Sequence, residues 1–175
     1  MTKVTAVQAP ENSILAASME KLLKAYQRYY NINRETPMAP FLAEAEFRLH
    51  DEGYFLIKSA KLSEADAREI IFFALADELD SPLLTQLETA AWEEGLSRVE
   101  PGINHRTTDI SLCILARNIT PEAAKQIKKS RHIKSFRFGF HGYCHFRLAA
   151  FDHTKRLTVY NHMGDSLEKV MKQVL

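Results

Sequence analysis

The sequence predicts an α+β fold: a single domain whose mostly antiparallel sheet of about five strands packs one face against helices. Three observations carry this reading. Two stretches, residues 44–58 and 135–160, show strand-like segments folded back across short turns. Segments with apolar residues at steps of three and four lie apart from those hairpins. Asp80-Ser81-Pro82 and Thr120-Pro121 place capping side chains just before a proline, which is how helices begin. At 175 residues the chain has the length of one domain with its own core. Residues 1–12 read as a disordered lead-in of small and polar side chains, and 13–175 as the single α+β domain.

The elements follow in order. An N-terminal amphipathic helix starts near Ser13, with Leu15, Met19, Leu22, Tyr26 and Tyr30 on one stripe. The segment 31–40, with two prolines, is a connector. Residues 44–58 form a hairpin turning at Asp51-Glu52-Gly53. Ser63 and Asp66 resemble a capping box, so the apolar run Ile70–Ala76 is expected to be a buried helix. The next helix follows Asp80, with Leu83, Leu87, Ala90, Ala91 and Glu94 on one face and Gly95 at its end. Residues 109–116 read as a buried strand. Thr120-Pro121 opens a helix with Ala123, Ala124 and Ile127 inward and a basic last turn. Residues 135–151 are strand-rich, and Phe136, Phe138 and Phe140 alternate, which places all three on one sheet face and is expected to make them core rather than an exposed stacking platform, a choice that only their burial decides. Asp152 begins a four-residue hairpin turn. The terminal amphipathic helix buries Leu167, Val170, Met171 and Val174.

Charge is divided unevenly. Residues 125–156 hold nine Lys/Arg and one acid, whereas 62–100 hold ten Asp/Glu and two Lys/Arg, so the net charge of +1 conceals segments of +8 and −8. Such a division creates local fields that select partners. The longest apolar run is seven residues, far short of the ~20 of a membrane helix, and the N-terminus lacks a signal-peptide pattern. With only Cys113 and Cys144, both in apolar contexts, free thiols in a reducing cytoplasm are expected.

Residues 136–143 resemble in part the aromatic strand of RNA-recognition-motif domains: Phe138, Gly139, Phe140 and Tyr143 fit the pattern, and residues 114–119 resemble its companion strand. The resemblance stops short of membership. Phe136, Arg137 and His141 depart from the pattern. Leu115 stands where the companion strand needs an aromatic, and the interval between the segments has no room for the strand that the fold requires there.

Three functional readings compete. The leading one is a non-enzymatic interaction protein, self-associating as a homo-oligomer through complementary acidic and basic surfaces. The second is nucleic-acid or anion binding through Lys125, Lys128, Lys129, Arg131, Lys134 and Arg137. The third is a metal-dependent or thiol enzyme. A bulge at Gly142 could bring His141 and His145 together with His105 or Asp109, although the spacing matches no zinc pattern. Cys144, His145 and Asp152 supply the residue types of a thiol site, but neighbouring strand residues face opposite ways. Nucleotide-cradling glycine loops, the G-x-S-x-G elbow and the H-E-x-x-H zinc helix are all missing, and no cofactor is implied.

Overall fold

The computed structural model describes residues 14–48, 66–103 and 105–175. The lead-in, the hairpin turn with its second arm, and the Ser63 cap lie outside these residues.

Seven strands and four helices are present among the described residues. Along the chain they run α1 (Ile14–Gln27), β1 (Asn31–Asn33), β2 (Ala43–Arg48), β3 (Asp66–Leu79), α2 (Ser81–Ser97), β4 (His105–Ile119), α3 (Pro121–Lys129), β5 (Ile133–Ser135), β6 (Tyr143–Asp152), β7 (Leu157–Tyr160) and α4 (Asp165–Val174). The strands join one sheet in the order β1-β2-β3-β4-β6-β5, with β7 also paired to β6. The fold is α+β as expected, but the sheet is mixed rather than mostly antiparallel and has seven strands rather than about five. β3, β4 and β6 run parallel at its centre, and the outer pairings are antiparallel.

The main correction concerns β3. The run Ile70–Ala76 is a central strand, not a helix. A strand with neighbours on both edges and helices on both faces reads as continuously apolar, so it loses the alternation that marks half-buried strands. Ile70, Phe72, Ala74 and Ala76 point to one face, Ile71 and Phe73 to the other, and all six are buried. Helices therefore cover both faces, not one. The crossovers β3-α2-β4 and β4-α3-β6 advance in the same direction across the sheet. Connections of one hand that do so set their helices on the same face. Leu84, Leu87 and Ala91 of α2 and Ala123 and Ile127 of α3 accordingly share a core with Ile110, Leu112, Phe146 and Leu148. Met19, Leu22, Leu23 and Tyr26 of α1 and Leu167 and Met171 of α4 form the second core, over Ile71, Phe73, Leu115 and Phe151.

The caps behave as the residue types require. Asp80 accepts from Leu83 N–H at 2.9 Å and Thr120 Oγ1 from Ala123 N–H at 3.2 Å. The inner face of α2 is rotated from the expected one: Leu84 and Glu88 are buried, while Leu83 and Ala90 are half-buried. Gly95 lies inside α2 rather than ending it. A Cβ there would fall 2.5 Å from the Ile110 side chain, so the glycine permits close approach of helix to sheet. Asp152 closes the β6–β7 turn as expected, its Oδ1 accepting from Lys155 N–H at 2.8 Å.

Candidate anion-binding interface

The basic segment wraps the edge of the sheet on the α2/α3 side. In α3, Ala123 and Ile127 face the core, so the helical period turns Lys125, Lys128 and Lys129 outward. Arg131 follows the helix. Lys134 sits on the short edge strand β5 opposite Cys144, hence on the α2/α3 face. Arg137 opens the next turn. All six cations are exposed, and among the described residues none of their side chains has an ion-pair or hydrogen-bond partner. The other three cations of the segment are engaged. Arg147 pairs with Asp109 at 2.6 Å and Glu69 at 3.3 Å, Lys155 pairs with Asp152 at 2.9 Å, and Arg156 donates to the Leu175 carbonyl.

Between α2 and α3 lies an open groove of about 550 Å³, with Lys125, Lys129, Arg131 and Glu122 around it. Its floor is ordered. Buried Glu88 accepts from the Ser130 hydroxyl and lies 2.7 Å from His132 Nε2. The His132 ring stacks on Trp92 at 5.3 Å and meets Phe146 edge-on at 5.2 Å. Asn161, buried on the return from β7, donates to the carbonyls of Ser130 and Phe146 and accepts from Leu148 N–H. It thereby ties the end of α3 to β6.

Beyond β5 the structure departs from the expected strand. Phe136–Tyr143 is a tight turn containing one 3-10 turn (Arg137–Gly139), in which Arg137 (φ 45°), Phe138 (φ 55°), Gly139 (φ 92°) and Gly142 (φ 88°) are left-handed. Two successive non-glycine residues in that region cost about 1 kcal/mol each or more. Strict alternation therefore fails. Phe136 turns inward, half-buried, whereas Phe138 is 98% exposed and Phe140 82% exposed. The expectation that all three rings are core is overturned for two of them.

The residues considered for metal do not converge. His105 Nδ1 lies 2.8 Å from the His141 carbonyl and its Nε2 2.9 Å from Thr108 Oγ1, while His145 faces Asp109 at 3.7 Å on the α1/α4 side. Among the described residues no group of three or more His, Cys, Asp or Glu side chains is placed to hold a metal ion. Cys144 belongs to the α2/α3 core and Cys113 to the other, so the sheet separates the two free thiols. Burial, reinforced by Asp109, pushes the Cys144 thiol up to about 11, the opposite of what a nucleophile needs.

A polar cluster that sequence reasoning missed lies across the sheet, on the α1/α4 face. Tyr30 donates to Glu69 Oε2 at 2.6 Å, Ser111 to Glu69 Oε1 at 2.8 Å, and Arg147 bridges Glu69 and Asp109. Burial raises the Asp109 carboxyl, with Arg147 opposing and Glu69 adding to the rise. The available signal was Asp109/Ser111 and His145/Arg147, polar pairs two residues apart within otherwise apolar strands.

Among the described residues no helix is long and apolar enough to cross a membrane. A family model described as a domain of unknown function, DUF8052, matches residues 16–173, and the chain belongs to that family. No curated protein and no solved structure matches.

Proposed function

We propose that this member of the DUF8052 family binds a polyanion, above all the phosphate backbone of a nucleic acid, through Lys125, Lys128, Lys129, Arg131, Lys134 and Arg137. One observation carries the reading: six exposed cations, without partners among the described residues, follow one another along α3, β5 and the turn beyond, while the other cations of the same segment are held by carboxylates or a carbonyl. Cations in a row displace the counterions condensed on a phosphate backbone, and the release of those counterions is the main source of sequence-independent affinity.

Self-association through acidic and basic surfaces has less support. The acidic segment spends much of its charge within the chain: Asp77 pairs with Arg117, Glu94 with Arg98 and Glu69 with Arg147, Asp80 caps α2, and Glu88 is buried under His132. Among the described residues of that segment, Glu78 and Glu93 remain exposed without an ion pair, so the acidic surface free for a second copy is smaller than the count of ten carboxylates implies. A metal or thiol enzyme around residues 141–145 is supported less still, given the scattered histidines and the raised Cys144 thiol. Two buried free thiols suit a reducing compartment, and we assign the protein to the cytoplasm.

The test is fluorescence anisotropy of labelled oligonucleotides at roughly 50 and 200 mM salt. Six phosphate contacts should weaken binding roughly 300-fold for a single strand and roughly 2,000-fold for a duplex between those concentrations. Lys128→Glu with Lys129→Glu should abolish binding without unfolding the chain. Absence of binding at the lower salt, or binding that survives this double substitution, removes the proposal. Association of the protein with itself at low salt, seen by light scattering, would return the basic edge to a contact between copies.

A further inference from the structure

Resting on that reading, we infer that Phe138 and Phe140 stack on unpaired bases, so that the polyanion is single-stranded nucleic acid. The turn carrying them is held from below. Phe136 N–H donates to the Gly142 carbonyl at 3.0 Å, Gly139 N–H and His141 N–H donate to the Phe136 carbonyl at 2.9 and 3.2 Å, and Phe140 N–H donates to Arg137 O at 3.1 Å. A carbonyl can only accept, so the contact at 2.8 Å puts a His105 ring proton on Nδ1, donating to His141 O, while Nε2 is hydrogen-bonded to Thr108 Oγ1 at 2.9 Å. Beneath the turn, a Cβ on Gly142 would lie 2.6 Å from His105 O and 2.8 Å from Arg106 O, and one on Gly139 would meet the Tyr143 hydroxyl at 2.0 Å. The two exposed rings are thus displayed by a tightly packed turn in left-handed conformation.

Two phenylalanine rings this open, two residues apart on one constrained turn, offer flat apolar faces on which a flat ligand can stack. Lys134 and Arg137 lie close to the rings in the chain and are exposed, which suits a ligand that also carries negative charge. Single-stranded RNA or DNA meets both conditions, whereas a duplex buries its base faces within its own stack. DNA and RNA share this chemistry, and the strand used in the assay separates them.

The experiment is anisotropy with the full chain and oligo(U), oligo(dT) and a duplex, each of about 12 units. Single strands should bind more tightly than the duplex. Phe138→Ala should weaken single-strand binding about 5- to 150-fold and Phe140→Ala similarly, with duplex affinity changed less than about twofold. Phe138→Trp should keep the affinity, and its emission should be quenched on adding strand. If Phe138→Ala/Phe140→Ala binds as the parent does while Lys128→Glu/Lys129→Glu does not, base stacking is refuted and the basic surface stands. If no oligonucleotide binds, both fall. If the phenylalanine variant instead loses self-association in sedimentation, the rings are a contact between copies and the inference is overturned.

Discussion

Arg147 and Lys128 belong to the same basic segment, yet they live in opposite circumstances. Arg147 lies against the α1/α4 face with its guanidinium on Glu69 and Asp109. Lys128, on the outer face of α3, is exposed and has no partner among the described residues. A guanidinium shared by two mostly buried carboxylates is consumed by the fold, since removing it strands their charge. An unpaired lysine on a helix surface costs the fold almost nothing and remains available to a partner. Net charge along the sequence merges these two populations, and only the pairing separates them.

That contrast can be tested by substitutions of decreasing effect. Arg147→Ala should destabilise the protein by about 3 kcal/mol, because Glu69 and Asp109 lose their shared cation; urea unfolding checks this. Asp152→Ala comes next, at about 1–3 kcal/mol, since buried Ile119 N–H loses its acceptor at 2.9 Å. This effect depends on pH. Burial works to raise the Asp152 carboxyl, but bonds from the Lys155 side chain, Lys155 N–H and Ile119 N–H outweigh it and hold the carboxyl below its usual range. A depressed carboxylate stabilises fully above its unfolded value of about 3.9 and loses that contribution as pH falls through the depressed value. Parent and Asp152→Ala stabilities should therefore run parallel above that pH and converge below it in acid titrations of unfolding. Thr120→Ala, which removes the α3 cap, should cost about 1 kcal/mol and leave the cations in place. The smallest stability change belongs to Lys128→Ala with Lys129→Ala, within about 0.5 kcal/mol, accompanied by a clear loss of oligonucleotide affinity. A large stability loss in that last variant would erase the distinction between consumed and available charge.

Legibility from the sequence followed the same physics. α3 and α4 were readable because each has one apolar stripe and one wet face, and Thr120-Pro121 announces the start of α3. The Asp152 turn was readable because its geometry needs a local acceptor. β3 was not, because a strand buried on both faces carries the same unbroken apolar run as a buried helix. Phe136, Phe138 and Phe140 misled for a different reason. Alternation implies a strand only while φ stays negative, and Arg137 and Phe138 break that condition without being glycine. The six basic residues could be listed from sequence, but their lack of partners among the described residues could not. The cluster of Tyr30, Glu69, Asp109, Ser111 and Arg147 spans 118 positions of sequence, and register alone brings it together.

The central position of β4 has a consequence for the growing chain. In the finished sheet, Ile110–Ala116 is buried between β3 and β6. β6 is synthesised later, after α3 and β5. In the interval between the emergence of β4 and that of β6 from the ribosome, on the order of seconds, β4 has only β3 to pair with and presents a long apolar edge to whatever is nearby. Arrival of β6 seals that edge, and until then the apolar row stays open to pairing with other chains.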